Sequence, residues 1–193
     1  MRRLIYYVAC TVDGFIARED GSFDCFLMEG EHLSDLFASF PETVPAHLRE
    51  QLGVNAPNKH FDAVLMGRAT YEVGTALGVA NPYPHLNQYL FSRTLENSPD
   101  PAVELVSIDA LSKVRELKHQ PGKDIWLCGG GKLAADLSTE IDRLILKVNP
   151  IVIGRGIPLF SRAIDTRLLN LVESKRHSNG FMLNTYDVRH RHE

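Results

Sequence analysis

A run of three glycines between an apolar strand and a helix constrains this chain more than any other feature. Gly129, Gly130 and Gly131 follow the apolar residues 125–128 and precede an amphipathic stretch that extends to about residue 138. Glycine allows a sharp turn and lets a second backbone or a ligand approach closely. The free N–H groups and the dipole at the start of a helix favour an anion. The pattern therefore predicts a phosphate site, although a tight turn alone would also use glycine.

Two common phosphate-binding motifs do not account for this turn. The spacing Gly129-x-Gly131-x-x-Ala134 matches a loose dinucleotide fingerprint, which also requires an acidic residue about 20 positions later. The chain reads Val-Asn-Pro-Ile at residues 148–151, without an acid. A P-loop would need glycine at the position of Trp126 and serine or threonine after the Gly-Lys pair. We therefore expect a different nucleotide-binding fold.

Length and composition bound the class of protein. A chain of 193 residues suits one domain, and we assign residues 1–193 to it. The net charge of −3 and the scattered basic residues argue against a nucleic-acid or membrane partner. The three cysteines have no metal or redox spacing, and the eight histidines form no ligand motif. We expect a cytoplasmic protein without a metal site or a membrane span, and leave a homodimer open.

Strands and helices alternate along the sequence. Strands are predicted at residues 3–10, 60–67, 89–91, 103–107, 125–128, 144–148, 168–177 and 181–189. Helices are predicted at residues 31–40, 45–52, 68–73, 109–119 with Asp109 as N-cap, and from the glycine turn to about 138. The Asn179-Gly180 pair predicts a tight hairpin between the last two strands. The order indicates an α/β fold with a mostly parallel central sheet and an antiparallel C-terminal hairpin.

Four motifs carry a resemblance to a known family. The segment Met-Gly-Arg-Ala-Thr-Tyr-Glu at 66–72 is similar to the Met-Gly-Arg-x-Thr-Trp/Tyr-Glu element of dihydrofolate reductases, and Cys-Gly-Gly-Gly-Lys-Leu at 128–133 resembles their Ile-Gly-Gly-Gly segment. Asp-Gly-x-Ile-Ala at 13–17 matches an upstream element of that family. Residues 150–160 resemble the reductase domain of riboflavin-biosynthesis deaminase-reductases most closely. The resemblance implies a dihydrofolate reductase-like three-layer fold for nearly the whole chain.

The resemblance implies that the chain binds NADPH. The glycine turn would hold the diphosphate, and Arg93 lies where the family binds the adenosine 2′-phosphate, which favours NADPH over NADH. Without the motifs, the arginines would be ordinary surface residues, and Ala9 and Ile16, which would flank the nicotinamide, would be core residues. The implied cofactor-binding residues are Ala9, Ile16, Gly67, Arg68, Thr70, Ser92, Arg93, Thr94, Gly129, Gly130, Gly131, Lys132 and Leu133.

The proton donor is the part of the family pattern from which this chain departs. Dihydrofolate reductases use a carboxylate on the helix after the first strand, near a tryptophan, whereas residues 22–26 read Ser-Phe-Asp-Cys-Phe here. Asp35 echoes the family's acid-Leu pair, Asp24 competes with it, and Asp13 is a third candidate. Each also suits a turn or a cap. A missing acid would put dihydrofolate in doubt and leave hydride transfer intact.

The sequence therefore predicts an NADPH-dependent oxidoreductase that transfers a hydride to a small unsaturated nitrogen heterocycle. The resemblance leaves two acceptors open, a dihydrofolate-like pterin and a ribosylaminopyrimidine of riboflavin biosynthesis. The His-x-Glu and Pro-Cys-x-x-Cys elements of zinc deaminases are absent from the sequence. The alternative function is a catalytically degenerate NADPH-binding sensor or scaffold protein.

Overall fold

Strands and helices alternate through residues 1–189, the part of the chain that the computed structural model describes. The strands are β1 (Leu4–Thr11), β2 (Phe15–Ala17), β3 (Phe61–Gly67), β4 (Asn87–Phe91), β5 (Val103–Val106), β6 (Asp124–Gly129), β7 (Ile141–Asn149), β8 (Ile157–Pro158), β9 (Leu169–Arg176) and β10 (Met182–Val188). The helices are α1 (Glu31–Ser39), α2 (Ala46–Arg49), α3 (Arg68–Ala76), α4 (Ala110–His119) and α5 (Gly131–Asp136), with a 3-10 turn at Pro41–Thr43.

One sheet of eight strands organises the protein, in the order β5-β4-β3-β6-β1-β7-β10-β9. The strands from β5 to β7 run parallel, and β10 and β9 add an antiparallel edge. The predicted mostly parallel sheet with an antiparallel hairpin is therefore confirmed. The first strand, β1, lies between β6 and β7 and is buried on both faces, which explains its continuous apolar sequence.

Helices cover both faces of the sheet. Leu4, Tyr6 and Val8 of β1 point to one face, where apolar side chains of α4 and α5 pack against them. Ile5 and Tyr7 point to the other face, together with side chains from α3 and from the chain after α1. This alternation divides the core into two apolar layers around the sheet. The predicted three-layer α/β fold is therefore confirmed.

Local signals in the sequence place two element boundaries. Asp109 caps α4, because its carboxylate accepts a hydrogen bond from the Ser112 N–H at 3.0 Å. At the β9–β10 hairpin, Gly180 has a φ of 86° and donates its N–H to the His177 carbonyl at 3.1 Å. Both the N-cap and the glycine of the hairpin turn were predicted from residue type.

The structure differs from the sequence prediction in its smallest elements. Strands β2 and β8 form a separate antiparallel pair that was not predicted, because three and two residues are too few to show a periodicity. The predicted helix 45–52 is only α2, since turns follow Arg49 and Gly53 has a φ of 65°. Helix α3 continues past residue 73 to Ala76, because Gly74 is accommodated within it.

A buried carboxylate ties the segment between β2 and β3 to the sheet. The Glu42 side chain accepts hydrogen bonds from the N–H groups of His60 at 2.5 Å, Phe61 at 2.7 Å and Lys59 at 3.2 Å. Its own carbonyl faces Nε2 of His85 at 2.8 Å. Glu42 is fully buried. Its carboxylate is the hydrogen-bond acceptor for the backbone N–H groups at the start of β3.

Replacement of Glu42 is expected to be costly. Glu42→Ala leaves buried backbone N–H groups without acceptors and should lower the free energy of unfolding by about 3 kcal/mol. The control Glu96→Ala removes an exposed carboxylate and should change it by less than about 0.5 kcal/mol. Urea unfolding of both variants measures the difference. A loss below about 1 kcal/mol for Glu42→Ala would show that water replaces the carboxylate at little cost.

Candidate functional site

The two glycine-ended strands of the parallel sheet, β3 and β6, are neighbours. Met66 and Gly129 are partners across the two strands, and each strand passes directly into a helix. Because both strands run in the same direction, α3 and α5 begin at the same edge of the sheet. We call this edge, formed by the carboxyl ends of β1, β3, β4, β6 and β7, the carboxyl edge. In open α/β sheets, ligands bind at this edge.

The two strand-to-helix turns approach each other closely. A methyl group placed on Gly67 would lie 3.5 Å from both the Gly129 carbonyl oxygen and the Gly130 nitrogen. Methyl groups on Gly129 and Gly130 would lie 3.6 and 3.4 Å from the Thr70 hydroxyl oxygen. The Ile16 side chain lies on another side of Gly130, 3.9 Å from the same methyl position. The structure thus brings together five of the predicted cofactor-binding residues, and the peptide bond between Gly129 and Gly130 is cis.

The three consecutive glycines have different structural reasons to lack a side chain. Gly129 has a φ of 136°, a conformation that other residues rarely adopt. A methyl group on Gly131 would overlap with the carbonyl oxygen of Pro158 and the hydroxyl of Ser161, so this glycine is required by packing. Gly130 has an ordinary φ of −91°, and among the described residues a methyl group there meets only ordinary contacts. The bare backbone at Gly130 therefore lies between Thr70 and Ile16, and a methyl group there would contact both without overlap.

The start of α5 offers hydrogen-bond donors beside this space. Gly130 is the N-cap and provides no side-chain acceptor to the first turn. The Gly130 carbonyl accepts the Ala134 N–H at 3.0 Å, which begins the helical hydrogen bonding. The N–H groups of Gly131, Lys132 and Leu133 precede that bond and have no acceptor within the helix. The Lys132 side chain is exposed, and that of Leu133 is buried in the core.

Arg68 connects the start of α3 with the turn after β4. Its Nε donates to the Glu72 carboxylate at 2.6 Å, and its Nη1 donates to the Thr94 hydroxyl at 2.9 Å. The buried Ser92 hydroxyl accepts the N–H groups of Thr94 at 3.3 Å and Leu95 at 3.2 Å, which shapes this turn. Arg68, Ser92 and Thr94 therefore form one polar cluster at the carboxyl edge.

Arg93 differs from Arg68 in its surroundings. The Arg93 side chain is exposed and forms no ion pair with any other residue between 1 and 189. It lies between Ser92 and Thr94 in the turn after β4, at the same edge as the glycine turns. An exposed guanidinium without a carboxylate partner is available for bidentate contact with a phosphate.

The predicted acids lie in surface ion pairs. The Asp35 carboxylate on α1 accepts a hydrogen bond from Lys175 Nζ at 2.6 Å, and this contact lowers the pKa of Asp35. The Asp24 carboxylate is exposed and pairs with Arg18 at 3.2 Å. A general acid at neutral pH needs a raised pKa. The geometry at Asp35 does not provide one, and a proton-donor role for Asp35 or Asp24 stays a prediction.

The third candidate acid, Asp13, fastens two loops together. Its carboxylate accepts the N–H groups of Gly154 at 2.8 Å and Ile153 at 3.2 Å. Hydrogen bonds from the Thr11 hydroxyl and from these N–H groups lower the pKa of Asp13. The Asp-Gly motif at 13–14 thereby holds the segment before β8 against the end of β1, and it carries β2 over the glycine turn.

Sequence reasoning missed a lysine close to the site. Lys147 of β7 is the strand partner of Ala9, and its ammonium lies 4.2 Å from the centre of the Tyr7 ring. Burial lowers the pKa of Lys147 to about 8. The only sequence signal was a single lysine within the otherwise apolar residues 144–148. That run was assigned to a strand, but which face the lysine occupies depends on the strand's neighbours.

Comparison with known proteins places the chain in a family. Residues 2–183 match the family model of the RibD C-terminal domain, and the chain belongs to this family. It is 32% identical over 185 residues to the uncharacterized protein YwjB of Bacillus subtilis (strain 168), covering 94% of this chain and 96% of YwjB. It is 27% identical over 198 residues to the uncharacterized protein YyaP of the same organism, covering 96% and 94% of the two chains.

Solved structures share the fold at lower identity. A protein from Shewanella sp. PV-4 that is named for riboflavin biosynthesis superposes with a TM-score of 0.69 at 21% identity, covering 98% of this chain and 100% of its own. A deaminase/5-amino-6-(5-phosphoribosylamino)uracil reductase from Thermotoga maritima gives a TM-score of 0.63 at 17% identity, covering 97% of this chain and 57% of its own. At these identities the solved structures show that the fold is shared.

Two kinds of feature are absent from residues 1–189, a membrane-spanning helix and a cluster of metal-ligating side chains. Within residues 1–189, no helix has both the length and the apolar character needed to cross a membrane. In the same part of the chain, no cluster of three or more His, Cys, Asp or Glu side chains has the arrangement of a metal site. His190 and His192, which the sequence placed at the end of the chain, lie outside the described residues.

The glycines of the two neighbouring turns are expected to respond differently to alanine. Gly131→Ala forces a methyl group into the Pro158 carbonyl and should lower the free energy of unfolding by about 1–3 kcal/mol. The matched control Gly67→Ala has a φ of −72° and places its methyl group in ordinary contact, so it should cost less than about 1 kcal/mol. Urea denaturation compares the two variants. Equal losses would show that the packing against Pro158 does not explain Gly131.

Proposed function

We propose that this protein is an NADPH-dependent reductase whose cofactor lies along the carboxyl edge. The observation that carries the proposal is the bare backbone at Gly130, where neither the φ of −91° nor contact with a described neighbour requires glycine. A cofactor diphosphate bound over the turn would explain the glycine at this position, because a methyl group would occupy the space of the phosphate oxygens. Membership of the RibD C-terminal family supports a reductase-like function.

The residues at the edge fit the parts of this cofactor. The N–H groups of Gly131, Lys132 and Leu133 are free donors for a diphosphate, and the Thr70 hydroxyl adjoins them. Helix dipoles at the starts of α3 and α5 favour the same negative charge. The two termini and the bare glycine backbone between them form a cradle of suitable chemistry for phosphate oxygens.

The adenosine end of the cofactor is assigned to the turn after β4. Arg93 is exposed and unpaired within residues 1–189, and it is suited to a 2′-phosphate, which NADH lacks. Arg68 donates hydrogen bonds to Glu72 and Thr94, so in this proposal it is a positive charge in a fixed position beside the phosphate. The preference for NADPH therefore depends mainly on Arg93.

The nicotinamide end is assigned to Ala9 and Ile16. Ile16 lies beside Gly130 and, through the β2–β8 pair, covers the turn with an apolar side chain. Ala9 is partly buried at the end of β1 and has a small side chain, so the backbone there is accessible to a flat ring. When bound, reduced nicotinamide supplies a hydride, and the protein supplies position and exclusion of water.

The acceptor is proposed to be a ribosylaminopyrimidine of riboflavin biosynthesis rather than dihydrofolate. Reduction of dihydrofolate in the family resembled by this chain uses a carboxylate near the substrate, and Asp35 is instead bound to Lys175 at the surface. A pyrimidine reductase-like protein from Corynebacterium diphtheriae shares the fold, with a TM-score of 0.61 at 16% identity, covering 98% of this chain and 93% of its own. The same surface pairing of Asp35 is the observation that favours the second candidate, an NADPH-binding sensor without turnover.

Cofactor choice tests the role of Arg93. The wild-type protein should bind NADPH at least about 10-fold more tightly than NADH, the scale of one charge-assisted contact. Arg93→Ala should remove most of this preference and leave NADH binding unchanged. Arg176→Ala on the exposed edge strand β9 is the control and should keep the preference. Calorimetric titration gives all the dissociation constants. Equal affinities of the wild type for the two cofactors would contradict the assignment of Arg93.

Turnover separates the reductase from the sensor. Loss of NADPH absorbance should accompany reduction of 5-amino-6-(5-phosphoribosylamino)uracil and be slower with dihydrofolate by at least about 10-fold, because Asp35 is engaged by Lys175 at the surface. A panel of pterins, pyrimidinediones and flavin-like heterocycles extends the test. Tight NADPH binding without turnover of any acceptor would favour the sensor. Faster reduction of dihydrofolate would contradict the proposed acceptor.

A further inference from the structure

We propose that the Lys147 ammonium is the proton donor of this reductase site, in the place that a carboxylate would otherwise take. This inference rests on the proposed reductase function and assigns the acid that the predicted carboxylates do not supply. The position of Lys147 in the sheet, the absence of a carboxylate partner and its neighbouring titratable groups each support it.

Lys147 lies on the sheet face that leads to the carboxyl edge. It follows Ile145 by two residues and therefore points to the same face as Ile145 and Tyr7. Its strand partner, Ala9, is assigned to the nicotinamide end of the cofactor, and Cys128 on β6 directly precedes the glycine turn. Lys147 therefore lies near the carboxyl ends of the strands that form the proposed cofactor site.

The ammonium has no carboxylate partner. Within residues 1–189, Lys147 forms no ion pair and no side-chain hydrogen bond, and its charged end lies over the Tyr7 ring. Buried lysines are normally paired, as Lys118 is with Asp142 at 2.7 Å. The Lys147 side chain is partly buried, and none of its three N–H donors has a hydrogen-bond acceptor among residues 1–189. In this proposal, an atom of the bound substrate accepts a hydrogen bond from the Lys147 ammonium and provides the missing partner.

The titratable side chains nearest to Lys147 are Cys10, Cys128 and Tyr7. Burial raises the pKa of Cys10 to about 11, of Cys128 to about 12 and of Tyr7 above its ordinary value, so all three are neutral at pH 7. Asp35 on α1 is engaged by Lys175. Burial lowers the pKa of Lys147 to about 8, so at pH 7 it carries a proton that it can release readily.

The proposed step is balanced in atoms and electrons. In the open-chain form of a ribosylamine the C1′–O4′ bond is broken, the amine proton has moved to O4′, and C1′ shares a C=N bond with the amine nitrogen. C1′ would receive the hydride that reduced nicotinamide would supply, the electron pair of the double bond would move to nitrogen, and nitrogen would take the proton from Lys147 Nζ. The products are a C–N single bond with a new N–H, oxidised nicotinamide and a neutral Lys147 amine. The amine then regains a proton from water.

The test compares two lysines that both lie over tyrosine rings. Lys147→Met should lower kcat at least about 100-fold, the scale of general acid catalysis, with the NADPH dissociation constant within about 3-fold of wild type. Wild-type kcat should fall as pH rises through about 8, where Lys147 loses its proton, and the residual activity of the variant should lack that limb. The control Lys113→Met removes an ammonium 5.3 Å from the Tyr89 ring and should keep kcat and its pH profile.

A stability measurement provides a readout independent of turnover. Because the pKa of Lys147 is lower in the folded than in the unfolded protein, the folded state loses this proton first, and stability gains as pH rises from about 8 towards 10. The melting temperature of wild type relative to Lys147→Met should therefore rise over this range. Cys10 and Cys128 are present in both proteins and cancel in the difference. If the difference in melting temperature between the two proteins stays constant over this pH range, the pKa of Lys147 is not lowered in the folded state and the proposal is overturned.

The outcomes separate the two proposals. Wild-type turnover that Lys147→Met retains, with the same pH profile, overturns the role of Lys147 and leaves the reductase function standing. NADPH binding without turnover by the wild type overturns both the reductase function and its acid. No binding of NADPH by the wild type overturns the cofactor site from which the role of Lys147 is inferred.

Discussion

The close approach of two strand ends, β3 at Gly67 and β6 at Gly129 and Gly130, is the constraint on which the site depends. Neighbouring parallel strands bring two helix starts to one edge, where a methyl group placed on Gly67 would lie 3.5 Å from both the Gly129 carbonyl oxygen and the Gly130 nitrogen. The strand β1 holds this arrangement from the other side of β6. This packing does not require glycine at residue 130, and the bare backbone there is the basis of the proposed cofactor site.

Charge is distributed around this constraint in a consistent way. The candidate acids are engaged elsewhere, Asp35 by Lys175 and Asp13 by the N–H groups of Ile153 and Gly154. The cations near the carboxyl edge are less fully engaged, since Arg93 and Lys147 have no carboxylate partner within residues 1–189. An edge with unpaired cations and free helix N–H groups favours an anionic cofactor and an acceptor that takes a proton.

Much of the fold could be predicted from the sequence because its signals are local. The apolar run of β1, the Asp109 cap and the Asn179-Gly180 turn each act through neighbouring residues, and the structure contains all three. The β2–β8 pair could not be predicted, since its five residues show no periodicity and are joined across more than a hundred positions. Local patterns determine the elements, and long-range packing determines the small contacts that cover the site.

The candidate site divides in the same way. Glycine at three consecutive positions was visible in the sequence, but the separate reasons for Gly129, Gly130 and Gly131 depend on φ and on the distant Pro158. The ion pair of Asp35 joins residues 140 positions apart, so no local pattern could reveal it. Lys147 was hidden because a strand sequence does not show which side chains its neighbours enclose.

The central claim is that a cofactor diphosphate contacts the turn at Gly130, and backbone amide chemical shifts test it most directly. Titration of isotope-labelled protein with NADPH should shift the amide signals of Gly130, Gly131, Lys132 and Leu133 most, followed by those of Arg68 to Thr70. Amides at the opposite edge of the sheet, such as Gly122 and Lys123, should stay in place. The largest shifts at that opposite edge, or none in the turn, would contradict the account.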